Sequence, residues 1–100
     1  MSHTTPFRKR RALLQLLREN PGNSAKTQQA RIMLALQTLG NVTTLELVRW
    51  LDCPRPGSRI SELRDAGHHI VRHWQTVETE AGELHRFARY TLTTSEVPAA

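Results

Sequence analysis

PRPGSRISELRDAG, the stretch from Pro54 to Gly67, has the features of one short helix with defined ends. Proline has a fixed φ and no backbone N–H, so Pro54 and Pro56 suit the first turn of a helix. Gly67 suits its end, because glycine adopts the left-handed conformation that closes many helices at little cost. We therefore predict a helix over residues 55–66.

The two sides of this predicted helix differ in chemistry when its residues are placed about 100° apart. Ile60 and Leu63 share an apolar side that is suited to packing. The opposite side carries guanidinium, hydroxyl and carboxylate groups, from Arg55, Ser58, Arg59 and Glu62. Such groups hydrogen-bond to base edges and phosphates in the major groove of DNA. A solvated helix face has the same pattern, so the neighbouring elements must decide between the two interpretations.

The length of 100 residues and the apolar content of 38% predict a single compact domain. No apolar run reaches the roughly 18 residues of a membrane helix, and the start MSHTTPFRKRR lacks the apolar stretch of a signal peptide. We therefore predict a soluble, cytoplasmic protein that is not secreted. The single Cys53 cannot form an internal disulfide, which agrees with a reducing compartment.

The net charge of +5 is concentrated near the N-terminus. Residues 1–18 hold 5 of the 14 lysines and arginines and no acid, whereas the other 9 bases are balanced by all 9 acids. A basic segment is common in nucleic-acid-binding proteins, because each phosphate contact releases counterions. Surface-binding tails and solubility tails have the same composition. The candidate phosphate contacts of this segment are Arg8, Lys9, Arg10 and Arg11.

An amphipathic helix is predicted for FRKRRALLQLLREN, after a cap at Thr5 and Pro6. Its apolar stripe consists of Leu13, Leu16 and Leu17. The helix could pack on the rest of the chain, pair with its copy in a homodimer, or lie along a phosphate backbone. Membrane-surface binding is disfavoured, since the helix has no tryptophan and its bases do not follow one face. The turn-rich linker NPGNSAK follows, so we assign residues 1–26 to an N-terminal arm.

Two further helices are predicted before Pro54. Thr27 is a suitable N-cap for QQARIMLALQTL, which ends at Gly40, and residues 41–43 form a short extended piece. Thr44 then caps TLELVRWLD. The residues of this helix that are predicted to face inward are Leu47, Val48 and Leu51. Because about three residues join it to the basic helix after Pro54, the pair has the order of a helix-turn-helix.

After Gly67 the apolar period changes from 3.6 to 2, which predicts a β-hairpin. Its strands are residues 69–79 and 84–93, joined by a polar loop with a glycine at position 82. The hairpin carries positive or titratable side chains at Arg72, His73, His85, Arg86 and Arg89. The small, polar residues 94–100 are predicted to form a disordered tail.

From Thr27 to Leu92 the chain resembles the small winged helix-turn-helix domains of bacterial and bacteriophage DNA-binding proteins. The similarity is carried by TxxxRIxxxL from Thr27, by T-x-x-E-L in the next helix, by Arg59 to Arg64 followed by Gly67-His68, and by ARYTL at 88–92. The resemblance implies an α+β fold that is mainly α with a β-hairpin: a three-helix core, a two-stranded wing and an additional N-terminal helix. The domain would span residues 27–93.

The resemblance also implies roles for individual residues. The second helix of the pair would enter the major groove with Arg55, Ser58, Arg59 and Glu62, and Arg86 and Arg89 would be wing contacts. Tyr90 and Leu92 would belong to the core, and Arg64, nearer the packed side, would form a structural ion pair. The Pro54-Arg55-Pro56-Gly57 start departs from the family pattern and would distort the first turn.

Metal binding and catalysis are disfavoured by the sequence. No second cysteine supplies the CxxC spacing of a structural zinc site, and His69 and His73 would lie far apart for one ion. No glycine-rich phosphate loop, GxSxG elbow or paired-carboxylate motif is present. We therefore expect no enzyme, no cofactor and no metal.

These features favour sequence-specific binding to double-stranded DNA, by a small bacterial or phage transcription regulator. The helix over 55–66 would occupy the major groove and the hairpin over 69–93 would act as the wing. A homodimer through the N-terminal helix would bind two half-sites. Two alternatives remain: a phage recombination or packaging accessory factor of the excisionase type, and a winged helix that docks on proteins.

Overall fold

A computed structural model describes residues 5–93. Residues 1–4 of the predicted arm and the predicted disordered tail, 94–100, lie outside this range. The elements in chain order are α1 (Phe7–Glu19), α2 (Ala25–Leu39), β1 (Asn41–Thr43), α3 (Thr44–Trp50), α4 (Pro56–Asp65), β2 (Ile70–Glu78) and β3 (Leu84–Leu92). The fold is the predicted α+β arrangement of helices and a hairpin.

α2 begins earlier than predicted. Its N-cap is Ser24, whose hydroxyl accepts the backbone N–H of Thr27 at 3.0 Å, so Thr27 lies inside the first turn. The helix ends as predicted at Gly40, which has the left-handed φ of 86°. This early start leaves only a short connection between α1 and α2.

α3 is fixed by a capping box one residue before the predicted cap. The hydroxyl of Thr43 accepts the backbone N–H of Glu46, and the Glu46 carboxylate accepts the backbone N–H of Thr43. Leu47 and Leu51 are buried as predicted, but Val48 is 44% exposed. The prediction for Val48 was wrong. A helix of two turns buries only a narrow stripe of its surface, and Val48 lies outside the stripe that holds Leu47 and Leu51.

The sheet has three strands in the order β1-β3-β2, all antiparallel. The piece at residues 41–43, too short to be stable alone, is held by pairing with β3. Side chains opposite each other on paired strands lie on one side of the sheet. Val42, Tyr90 and Arg72 therefore share a side, since Val42 and Arg72 both pair with Tyr90.

The core lies between α2, α3, α4 and this side of the sheet. Its buried apolar residues include Ile32, Leu36, Leu47, Ile60, Leu63, Ile70, Ala88 and Tyr90. Leu92 packs against it, in agreement with the role predicted for it and for Tyr90. Burial of Ile60 and Leu63 orients α4 and leaves its opposite side at the surface.

α1 packs on the domain, which is the first of the three possibilities left open by its sequence. It contacts α2 and α3, and Leu13 is fully buried in the common core while Leu16 and Leu17 pack against it. The buried guanidinium of Arg31 strengthens this attachment, because its Nη1 donates to the carbonyls of Asn20 and Gly22, at 2.7 and 2.8 Å. The apolar stripe of α1 is thus used within the chain.

Candidate nucleic-acid interface

The surface of α4 opposite the core is built from small and polar residues. Pro56 is buried at the first helical position, and Arg55 stands just before it with an exposed side chain. Gly57, Ser58 and Ser61 are also exposed. We call these four exposed residues, Arg55, Gly57, Ser58 and Ser61, the outer face of α4. Ser61 was missed by the sequence prediction, although its position three residues after Ser58 places it on the same face.

Arg59 and Glu62 form an ion pair at the edge of this outer face. Arg59 Nε lies 2.9 Å from Glu62 Oε1, and Arg59 Nη2 donates to Glu62 Oε2 at 3.2 Å. Gln29 of α2 donates to the same carboxylate at 2.9 Å. The Arg59 side chain is only 17% exposed, against 42% for Glu62. Two of the three guanidinium nitrogens of Arg59 therefore face Glu62, which competes with a ligand for this side chain.

Arg64 has a structural contact of a different kind from the predicted ion pair. Its Nε donates to the backbone carbonyl of Ile70 at 2.9 Å. This bond joins the end of α4 to the first residue of β2. No ion pair of Arg64 is present within residues 5–93, so the predicted one is not confirmed there.

Lys9 is largely buried, in contrast to Arg8 and Arg11 of the same basic segment. Its Nζ lies 2.9 Å from Glu46 Oε1 and donates to Asn41 Oδ1 at 2.7 Å, and only 14% of its side chain is exposed. Arg8 and Arg11 are exposed. Of the four candidate phosphate contacts in this segment, Lys9 thus has partners within the chain that compete with a phosphate.

The carboxylate of Glu46 is surrounded by donors. Besides Lys9, it accepts the Thr5 hydroxyl at 2.9 Å and the backbone N–H of Thr43 at 3.0 Å. Burial alone would raise the pKa of Glu46, but the hydrogen bonds from Lys9, Thr43 and Thr5, with the charge of Lys9, lower it below its ordinary value of 4.5. The ionised carboxylate is therefore part of the folded structure.

We expect acidification to weaken the fold through Glu46. A carboxyl whose pKa is lower in the folded than in the unfolded chain stabilises the fold above its unfolded pKa, here about 4.5. That stabilisation is lost as the pH falls below this value and through the folded pKa. Urea unfolding of the wild type and of Glu46→Gln from pH 7 to pH 3 measures it. The difference in stability between the two proteins should shrink towards pH 3, and a constant difference would contradict the assignment.

Arg89 is also partly buried, whereas Arg86 is exposed. Arg89 donates from Nε to Gln75 Oε1 at 3.0 Å and from Nη1 to Asn41 Oδ1. Asn41 Oδ1 thus accepts from both Lys9 and Arg89, and this amide links α1 to the hairpin. As with Lys9, the wing contact predicted for Arg89 competes with partners inside the chain.

A cluster of arginines and aromatic rings joins α1 to the end of α3. The guanidinium of Arg10 lies 5.6 Å from the ring centroid of Phe7 and 5.3 Å from that of Trp50. Arg11 lies 5.7 Å from the Phe7 ring and Arg49 lies 5.4 Å from the Trp50 ring. Such contacts hold the guanidinium groups in place while leaving their charge available. Arg49 and Trp50 were not among the predicted site residues.

The hairpin has a basic middle and an acidic tip. Arg72, Trp74 and Arg86 are exposed along its middle, and Trp74 lies between the two arginines. The tip carries three exposed acids, Glu78, Glu80 and Glu83. These carboxylates would repel phosphates, so a polyanion would bind more favourably at the side of the hairpin than at its tip.

Within residues 5–93 the structure favours none of three other features: a nucleophilic cysteine, a metal site and a membrane-spanning helix. Burial raises the pKa of the Cys53 thiol, although Arg55, Arg59 and Arg31 act in the opposite direction, and a protonated thiol is a poor nucleophile. In the same range, no three His, Cys, Asp or Glu side chains are grouped as a metal site would require. None of the helices described between residues 5 and 93 has the length and apolarity to cross a membrane.

Comparison with curated proteins and with solved structures found no significant match. Comparison with protein families matches residues 27–95 to one family, described as a winged helix-turn-helix domain. The matched range holds nearly all of α2 and every later element, which are the parts that surround the core and carry the outer face of α4. On this match over more than half of its length, and on the fold, the chain belongs to the winged helix-turn-helix domain family.

Proposed function

We propose that this protein binds double-stranded DNA sequence-specifically as a small transcription regulator of a bacterium or bacteriophage, acting in the cytoplasm. The observation that carries the proposal is the outer face of α4, where Arg55, Ser58 and Ser61 are exposed on the second helix of a helix-turn-helix. Gly57 and the two serines are small, so the helix backbone could approach base edges closely in a major groove. Arg55 and an Arg59 released from Glu62 would then read guanine.

Phosphate contacts would come from the surface that α1 and α3 build together. Arg8, Arg11 and Arg49 are exposed there, and Arg10 is held between two rings. The side of the wing adds Arg86 and Arg72. These residues would supply most of the affinity but little discrimination, since phosphates are the same at every step of the duplex.

The proposal is tested by selecting bound sequences from a random duplex library with the full-length chain. We expect one enriched motif, and an affinity for random duplex that falls steeply between two salt concentrations. A palindromic motif would also indicate a homodimer. Because Leu13, Leu16 and Leu17 pack within the chain, such a dimer would use a surface other than the predicted stripe. Absent affinity, or affinity indifferent to salt, would contradict any role on DNA.

Arg59→Ala should weaken a selected site by about 5- to 150-fold, the effect of losing about 1 to 3 kcal/mol of bidentate discrimination. The loss on random duplex should be much smaller. Arg18→Ala is the matched control, because Arg18 is an exposed arginine outside α4 and outside the ring cluster. Equal losses on selected and random duplexes would mean that Arg59 contacts only phosphate.

Two other functions use the same fold. An excisionase-like or packaging factor would bind and bend DNA, which comparison of gel mobility with the site at the centre and at the end of a fragment detects. A protein-docking winged helix is favoured by one observation, the acidic tip of the hairpin with the exposed Leu84 beside it. That function predicts no salt-dependent DNA binding at all.

A further inference from the structure

Trp74 is a large apolar side chain that the core does not use. It lies in the middle of β2 and 55% of its surface is exposed. The guanidinium of Arg86 lies 4.6 Å from its ring centroid and that of Arg72 lies 5.5 Å away. Arg72 is itself 5.9 Å from the ring of Tyr90, which anchors it at the edge of the core. The ring is thus held in place by charged groups at the surface.

Strand register places this group on a defined side of the hairpin. Trp74 pairs with Ala88, Arg72 with Tyr90 and Thr76 with Arg86. Because Ala88 and Tyr90 are buried against the helices, Trp74 lies on the helix-facing side of the sheet, just beyond the core. Arg72 lies two residues before Trp74 on β2, and Arg86 lies on β3 opposite Thr76, two residues after it. The guanidinium groups of both arginines lie over the indole ring. The result is one ring flanked by two cations, which we call the wing ring site (Arg72, Trp74 and Arg86).

An aromatic ring beside guanidinium groups fits a nucleobase and its phosphates. Any base can stack on an indole ring once the guanidinium group over that face moves aside, and the displaced arginine can pair with the phosphates that connect the base to its neighbours. In an intact duplex the base faces are already stacked on each other and are not available to a side chain. A ring that takes a base this way therefore needs an unpaired base.

Insertion of the ring into a minor groove is less consistent with the hairpin. An apolar wedge acts at the leading end of an element that enters the groove. Trp74 is four residues before the end of β2, and Glu78, Glu80 and Glu83 lie beyond it. A wing that brought this ring between base pairs would bring those three carboxylates against phosphates.

We propose that the wing ring site binds an unpaired DNA base, stacked on Trp74, with the adjacent phosphates held by Arg72 and Arg86. This inference rests on the proposed function, because α4 and α1 would bind the duplex from which the unpaired strand extends. The preferred ligand is a duplex with a short single-stranded extension, and not a fully paired one.

The test compares a blunt duplex with the same duplex carrying a single-stranded thymidine extension at either end. The full-length protein should bind an extended duplex more tightly, and Trp74→Ala should remove the preference, a loss of about 5- to 150-fold on that ligand. Affinity for the blunt duplex should stay within about twofold, because Arg72 and Arg86 remain in the variant and can contact the phosphates of the duplex. Trp74→Phe, which keeps a stacking ring, should retain most of the preference. With Trp50→Phe as background, stacking should quench the fluorescence of Trp74.

Leu84→Ala is the matched control for loss of an exposed apolar side chain. Leu84 is 71% exposed and its partner Glu78 is on the same side of the hairpin as Trp74. This variant should leave both affinities unchanged. Thermal unfolding of each variant checks that the fold is retained, which the exposure of Trp74 predicts.

The outcomes separate this inference from the proposed function. Tight binding to blunt duplex with no preference for an extension, or equal losses on both ligands for Trp74→Ala, overturns the stacking site and leaves the proposed function standing. Trp74-dependent binding to single-stranded thymidine without binding to duplex supports the stacking site and overturns the duplex function. Absence of binding to every DNA tested overturns both.

Discussion

Lys9→Met is expected to lower the free energy of unfolding by roughly 3 kcal/mol, the scale seen when one partner of a buried ion pair is removed. The Glu46 carboxylate is only 3% exposed and would lose its cation. Methionine retains the length of the aliphatic stem, so packing changes little. The carboxylate keeps the Thr5 hydroxyl and the Thr43 backbone N–H as donors, which places the loss at the lower end of the known range.

Urea unfolding at pH 7 measures this loss, and Arg8→Met is the matched control. Arg8 precedes Lys9 in the same turn and is exposed, so its replacement removes the same charge without uncovering a buried acid. We expect the control to unfold within about 0.5 kcal/mol of the wild type, as surface substitutions generally do. If Lys9→Met left the free energy of unfolding unchanged, the ion pair with Glu46 would not stabilise the fold. Lys9 would then again be a candidate phosphate contact.

The sequence could not separate Lys9 from its basic neighbours. The four bases are consecutive: Arg8, Lys9, Arg10 and Arg11. The helical period places each of them on a different side of the helix but does not identify the residues that this side contacts. The partners of Lys9 are Glu46 and Asn41, both more than 30 residues away, so only the tertiary structure identifies them. The same limit applied to α1 as a whole: its stripe predicted packing but did not identify the packing surface.

Other features could have been predicted and were not. Thr43 and Glu46 have the S/T-x-x-E spacing of a capping box, which favours Thr43 over the adjacent threonine as the cap. Arg86 and Arg89 are an odd number of residues apart, so a strand places them on opposite sides of the sheet. Only one of the two could lie on a given face of the wing, and Arg86 is the exposed one.

The fold core was predictable because local signals agreed. The apolar period of 3.6 in α2, α3 and α4, the glycine stops and the change to a period of 2 after Gly67 all indicated the same order of elements. The wing ring site was not predictable, since Arg86 is brought beside Trp74 by strand register. Register depends on the turn at residues 79–83, and a shift of one residue would move Arg86 to the other side of the sheet.

Leu13→Ala is expected to destabilise the chain by about 2 to 5 kcal/mol, the cost of removing a leucine side chain from a packed core. Leu13 is fully buried although it belongs to a helix that lies outside the matched family range of residues 27–95. Its methyl groups fill space between α1 and the other helices, so the loss combines apolar burial with a cavity. Because α1 and the core share this contact, the whole chain should unfold in one transition at a lower urea concentration.

Leu14→Ala provides the matched control in the same helix. Leu14 is only partly buried and is not among the residues of the core cluster, so we expect a loss of about 1 kcal/mol or less. If α1 were an arm independent of the domain, Leu13→Ala would reduce helical content without moving the unfolding midpoint of the remaining chain. A loss of stability for the whole chain, as expected above, would instead show that α1 is a fourth core helix. Its basic turn would then be a rigid part of the surface that is proposed to bind DNA.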